Sequence, residues 1–400
     1  MRRYLVTIAT TALLAIADLA TALPLPRFPP SAVWNRDVSA PSLKHPNSDN
    51  MINHLSALGG WGTGATAFQI DFSFFVLHAN AGIPTTPVMP FGNDPDNGYY
   101  YPDCGDFHTA PSLGPVPLPI PLPPGGGIEG TGQLDPTSPP IVAPSYTCDN
   151  ANNDCHMLIV QGNKLFESGN SNVTGGKVES FCGMTWDLTK NYPPQGRGDQ
   201  CTSTDAAGYP VAPLLFNADE MFAAEQVVNG DLGHAIRFIL KNSRMKKGAF
   251  VHPASHGTSG TGENGASDTT PNAVPYGSRF RLKSSFNVAG FTAGNHADGG
   301  AAADVAARVI LRTLQKYGMV LSDGGNVPLT AEADWYTTHK WSEFGVDPFT
   351  QSGSHLLFGI AATDFEVVVA GTPITLTYDC DSNGNHMTPA DFIFIDGYDY

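Results

Sequence analysis

The chain has 400 residues, a formal net charge of −16, only 14 % charged residues, 43 glycines and 33 prolines. So acidic a balance argues against nucleic acid as a partner. Abundant glycine and proline with sparse charge argue against a helical bundle and for a loop-rich, mainly β protein.

The first residues read MRRYLVTIATTALLAIADLATA: Arg2 and Arg3 precede an apolar run, and Ala20-Thr21-Ala22 is a small-x-small site. That is the pattern of a signal peptide, with cleavage expected after Ala22. The run stops at Asp18, too short to span a bilayer, and no later stretch approaches membrane length. The mature chain, residues 23–400, is therefore expected to be secreted, with no membrane span, and loss of Arg2, Arg3 and Asp18 takes its charge to −17. Six cysteines without a C-x-x-C pair read as disulfides in an exported chain, not as a zinc site. Of the 15 possible pairings, the local loops Cys148–Cys155 and Cys182–Cys201 are favoured, which leaves Cys104 with Cys380.

After the signal comes an extended, proline-punctuated segment in which Trp34 is expected to plug into the fold. Gly64–Asn80 alternates apolar and polar residues and reads as strand. Residues 110–146 are dense in proline and favour polyproline-like extension, as a linker between domains or as a long loop laid across one. His156–Asn170 reads as a hairpin around Gly-Asn, and Ala218–Gly230 as a short helix stopped by Gly230. HAIRFIL and AFVHPAS read as a second hairpin joined by KNSRMKKG, with His234, Ile236, Phe238 and Leu240 on one face. Asp304–Gly318 has the best helical pattern: Asp304 can cap it, Val305, Val309, Leu311 and Leu314 mark its apolar face, and Gly318 ends it. From His355 onward FEVVVAG and ITLTYDC are strand-like. The fold expected is mainly β, a sandwich or jelly-roll-like domain with one or two packed helices.

Four constellations could carry chemistry. His252 and His256 lie four apart, but Pro253 and Gly257-Thr258-Ser259-Gly260 put them in a loop, where a shared metal would need a third ligand such as His234. The ordinary alternative is imidazoles bonded to backbone. Between His234 and Lys283 eight basic residues face two acids, Glu263 and Asp268. Half of that excess is a solvated turn, but Arg279, Arg281 and Lys283 alternate along RFRLK and would share one strand face suited to binding an anionic or polar sugar.

The carboxylates Asp205, Glu220, Asp323 and Asp334 could serve glycoside hydrolysis, which needs one protonated and one ionised carboxyl. His234 or His256 with Arg279 and Lys283 would instead suit β-elimination on a uronate. Asp205 and Asp323 are equally at home in turns. Finally, Asp379, Asp381 and Asn383 open like a calcium loop, yet the acid that should close it, Asp391, comes one residue late; calcium is the one cofactor to test.

STDAAGYPVAP, GHAIRF, FVHPASHGTSG, PYGSRFRLKSSFNVAGF, ARVILRTLQKYGMVLSDGG and DFEVVV, with VWNRDV, PNSDN and IEG nearer the start, resemble a widespread group of secreted, largely uncharacterised bacterial proteins. The resemblance covers most of the mature chain and implies a single domain, with the proline-rich segment as an internal loop. It implies architecture and export, not a reaction. The histidine loop is longer here and richer in Gly, Ser and Thr, and AGNHADGGAAAD is inserted before the helix. The reading reached is a secreted protein that acts on or binds extracellular polysaccharide, with His234, His256, Asp205 and Asp323 as catalytic candidates. Arg279, Arg281, Lys283 and His252 are the binding candidates, and Trp61, Trp186 and Trp335 could stack on sugars. The rival is a non-catalytic envelope or matrix protein whose histidines and arginines serve packing.

Overall fold

The computed structural model describes residues 24–62, 68–90, 119–132, 142–348 and 354–380. The signal segment, Cys104, Asp381 and Asn383 lie outside the described residues. Within them the chain is mainly β, with seventeen strands in four sheets and three α-helices. The largest sheet has six strands in the order Ile70–Phe74, Leu329–Glu332, Ile236–Leu240, Met319–Gly324, Arg279–Leu282, Phe365–Val367. Ile70–Phe74 runs parallel to Leu329–Glu332, and Ile236–Leu240 parallel to Met319–Gly324; the remaining pairs are antiparallel.

Apolar residues alternate along these strands and meet in one large cluster. Trp61 packs edge-on against Phe238 and Phe280, each at 5.9 Å between ring centres, and against Phe365 at 5.2 Å. Each such ring stabilises the fold by about 1.5–3 kcal/mol through burial. The N-terminal segment is part of this core: Trp34 is buried against Phe28 and Tyr209, as expected. A second cluster gathers Phe75, Ile159, Val178 and, from the proline-rich stretch, Ile120 and Ile128.

Several elements follow the local pattern. Met157–Gln161 and Lys164–Gly169 form the expected hairpin. The helix Ala218–Glu225 is capped by Asn217, whose side chain accepts the Glu220 amide. The long helix spans His296–Lys316 and starts earlier than expected, with Gly300 alone off helical geometry. Asp304 is bonded to the Ala293 amide instead of capping, and Val305 is exposed while Val309, Leu311 and Leu314 are buried.

Two expectations are overturned. HAIRFIL and AFVHPAS do not pair: both sides of Ile236–Leu240 are taken by other strands, so Met245–Phe250 joins Val274–Tyr276 and Ile374–Thr375 in a three-stranded sheet. Among the described residues the disulfides join Cys148 to Cys155, as expected, and Cys201 to Cys380, across 179 residues. The pairings Cys182–Cys201 and Cys104–Cys380 therefore fail. Loop closure grows costly only slowly with length, by about 0.6 kcal/mol per doubling, so the tertiary fold easily outweighs a preference for local loops.

Candidate functional site

Because Ile236–Leu240 and Met319–Gly324 are parallel, their C-terminal ends reach the same edge of the sheet, with Leu240 opposite Gly324. The register slips there: Phe238 opposes Leu321, but Ile239 opposes Asp323. The extra residue is Ser322, and a bulge of this kind bends a strand and re-aims the side chain that follows. Asp323 thereby lines a cleft of about 150 Å3 with His156, Thr204, Asn242, His256 and Tyr378. At roughly 30 Å3 per molecule, that is room for about five waters, or one ring-sized group.

Arg237 anchors the site. It points away from the core side of its strand, with Nη2 2.9 Å from Asp205 and 3.9 Å from Asp323. Its Nε donates to Ser322 Oγ and its Nη1 to Thr330 Oγ1. A buried ion pair is tolerable only when its hydrogen-bonding capacity is filled, and here all three guanidinium nitrogens have partners. Burial first, and the neighbouring Asp205 charge second, push the Asp323 carboxyl up to about 7, against the pull of Arg237. The Asp323 side chain is 28 % exposed, in keeping with its place on the cleft wall.

Two histidines frame the cleft in opposite protonation states. His256 Nδ1 is 3.0 Å from the Ala206 carbonyl, so Nδ1 carries the proton and Nε2 presents a lone pair. That Nε2 is buried without a protein partner, and burial lowers the ring's pKa to about 4. His156 instead faces acceptors on both sides, Glu129 at 2.6 Å and the Thr204 carbonyl at 2.7 Å. Burial opposes its charge, but Glu129 outweighs burial and raises the pKa to about 10. His156 is thus a fixed imidazolium, and Glu129 its carboxylate.

The loop between them is held tightly. The Ala207 amide donates to the Ser322 carbonyl, and the Ser255 and His256 amides donate to the Ala207 carbonyl. Gly208 has φ +77°, and a Cβ there would lie 2.0 Å from Ser255 Oγ, so the close approach requires glycine. The Cys201–Cys380 bridge ties this loop to the segment carrying Tyr378, whose ring is 5.5 Å from that of His256. A wider concavity of about 620 Å3, lined by Ser73, Glu129, Ser145, Asp149 and Asn152 among others, shares Asp154 with the cleft.

The sequence-based candidates separate. His256 and Asp323 meet in the cleft, with Asp205 linked to Asp323 through Arg237. His234 is elsewhere: buried, with Nδ1 2.7 Å from the Ala235 carbonyl and Nε2 2.8 Å from Arg27, beside Glu220. Arg279 donates to the carbonyls of Tyr317, Val33 and Arg36. Arg281 binds Glu366 and the carbonyls of Val38 and Ala40, and Lys283 binds the Thr363 carbonyl. None of the three lines either concavity; the two arginines clamp the N-terminal segment, and their alternation along the strand serves that purpose.

His252 pairs with Asp199 at 2.7 Å, apart from His256, and Asp334 accepts the Trp341 amide at 2.6 Å. Asp379 accepts from the Thr377 hydroxyl, while its partners Asp381 and Asn383 in the calcium-like motif lie outside the described residues. No three His, Cys, Asp or Glu side chains among the described residues are arranged to hold a metal. Trp61 and Trp186 are fully buried and Trp335 partly so, which removes the first two as sugar platforms.

His156, Glu129, Arg237, Thr204 and Asn242 were not singled out by sequence as a site. A signal existed for Arg237: a cation within the apolar run AIRFIL must be paired if the strand is buried. Comparison of the chain with protein-family models, curated proteins and solved structures finds no match in any of the three.

Proposed function

We propose that the protein is a secreted enzyme that hydrolyses glycosidic bonds of an extracellular polysaccharide at the Asp323–His256 cleft. The observation carrying this reading is that one cleft brings together the Asp323 carboxyl, which burial and the Asp205 charge push up, and an imidazole nitrogen of His256 that has no protein partner. Groups whose environments push their protonation apart are the hallmark of acid–base sites. Asp323 in its acid form would give its proton to the leaving glycosidic oxygen while His256 Nε2 takes one from the attacking water. The glycosidic C–O bond breaks, the water oxygen bonds to the sugar carbon, and solvent restores both protonation states. The wider concavity beyond Asp154 offers the adjoining sugars of a chain a place to lie.

Hydrolysis is favoured over β-elimination because no lysine or arginine lines either concavity among the described residues, and the His156 imidazolium on the cleft wall is already held by Glu129 and the Thr204 carbonyl, so a uronate would find no free counter-cation. Export rests on the signal pattern, and the disulfides are compatible with it. No helix among the described residues is long and apolar enough to cross a membrane.

The test is to incubate the purified mature protein with neutral, amino-sugar and uronate polysaccharides while following reducing ends and the ultraviolet absorbance of unsaturated products. Reducing ends without that absorbance, lost in Asp323→Asn, are expected. Absorbance would mean elimination. Silence from a folded protein across the panel would sink the catalytic reading in favour of a binding or structural role.

A further inference from the structure

The polar atoms on the cleft that lack a protein partner are not a random set. His256 Nε2, Thr204 Oγ1 and Asn242 Oδ1 are all buried and unpaired, and all three residues line the same cleft. His256 and Thr204 are 6 % and 8 % exposed as whole residues. Leaving such atoms unpaired is unfavourable, and a ligand with matching groups would recover that cost. Their polarity is known: His256 Nε2 is an acceptor because the Ala206 carbonyl takes the Nδ1 proton. Asn242 Oδ1 is an acceptor because the amide nitrogen donates to the Glu263 carbonyl. The Thr204 hydroxyl alone can also donate.

Charge adds to this acceptor bias. Asp154 and Asp323 stand on the cleft, close enough that Asp154 disfavours the ionised form of Asp323. Glu129, Asp149 and Asp154 line the wider concavity, with no lysine or arginine beside them among the described residues. The one cation on the cleft wall among the described residues, His156, has both ring nitrogens engaged.

We infer that the cleft takes a donor-rich cationic group, the free ammonium of an amino sugar, so that the polymer bound is one of unacetylated amino sugars and not of uronates or neutral hexoses. Cleavage after binding rests on the hydrolytic reading, but the recognition itself stands on the three unpaired atoms and the Asp154 carboxylate. An ammonium carries three donors and no acceptor, which matches two pure acceptors and a carboxylate. An N-acetyl group would bring a carbonyl acceptor and lose the charge.

Binding is measured by titration calorimetry of the full mature protein at pH 6.5 with short oligomers of glucosamine, N-acetylglucosamine, glucose and galacturonate. The glucosamine oligomer is expected to bind about tenfold or more tightly than the others, and to weaken with added salt. Thr204→Val is expected to weaken it by about tenfold. Asp154→Asn, on an exposed rim residue that does not endanger folding, is expected to reduce both affinity and salt dependence.

Equal or tighter binding of galacturonate, or no loss in either variant, would overturn the inference, as would failure of the folded protein to bind any of the four. Glucosamine binding without any cleavage would leave this inference standing and remove the hydrolytic reading alone; cleavage of neutral polymers without amine preference would do the reverse.

Discussion

At the scale of single residues, Asp323 and Arg237 divide the work. Asp323 is the group whose protonation matters near neutrality, and Asp323→Asn keeps its shape while removing the transferable proton. Activity is expected to fall by about 10²–10⁴-fold, the range for losing one acid–base group. The pH profile of kcat/KM should be bell-shaped. Activity falls above about pH 7 as Asp323 loses the proton it must donate, and falls towards about pH 4 as His256 Nε2 becomes protonated. A profile flat across pH 6–8 would remove Asp323 from the acid role. Arg237 touches no open space, and its part is to hold Asp205 and bias Asp323. Arg237→Met leaves Asp205 as a buried charge without its counter-ion, with an expected cost of about 3–5 kcal/mol by chemical denaturation.

Elements decide where those residues point. The Ser322 bulge at the end of Met319–Gly324 turns Asp323 into the cleft, and the loop Asp205–Gly208 fits against Ser255 only because Gly208 has no Cβ. Gly208→Ala would force a methyl against Ser255 Oγ and hold an alanine at φ +77°. A loss of about 1–3 kcal/mol is expected, with KM raised because Thr204 and His256 move with the loop. An unchanged melting temperature and KM would show that the loop yields more easily than its hydrogen bonds suggest. Local patterning revealed Met157–Gln161, Lys164–Gly169 and the helix Ala218–Glu225, since each depends on neighbours in the chain. It misread Ile236–Leu240 and Met245–Phe250 as partners because adjacency and alternation do not reveal which strands already occupy both edges.

Across the whole molecule, one covalent bond and a set of buried titrating groups set the expectations. Replacing Cys201 and Cys380 by alanine opens a loop of 179 residues and should cost about 2–5 kcal/mol. It should also loosen the Tyr378 wall of the cleft, so substrate affinity falls together with stability; loss of stability alone would mean Tyr378 has no part in the site. Stability should also depend on pH in a defined window. Asp323 and Glu332 are pushed up to about 7 and 8, and His156 to about 10, so the folded state holds protons that the unfolded chain releases. Between about pH 6.5 and 8 unfolding free energy should therefore fall as pH rises, by at most about 1.4 kcal/mol per pH unit for each group between its two values. His256, lowered to about 4, acts in the opposite sense only below about pH 6.5, where an unfolded histidine is protonated. A melting temperature that rises from pH 6.5 to 8 would contradict this.

By itself the sequence determined the β-rich class, the signal pattern, the Cys148–Cys155 loop and two of the cleft residues, His256 and Asp323, because composition, spacing and local turns are properties of the chain alone. Only the tertiary structure decided that Arg279 and Arg281 clamp the N-terminal segment, that Cys201 reaches Cys380, and that His156, Thr204 and Asn242 join His256 and Asp323 on one cleft. The physical reason is that a cleft of this kind is assembled from strand ends and loops far apart in sequence. Their meeting is set by sheet order, a one-residue bulge and the pairing of buried charge, none of which leaves a periodic mark on the chain.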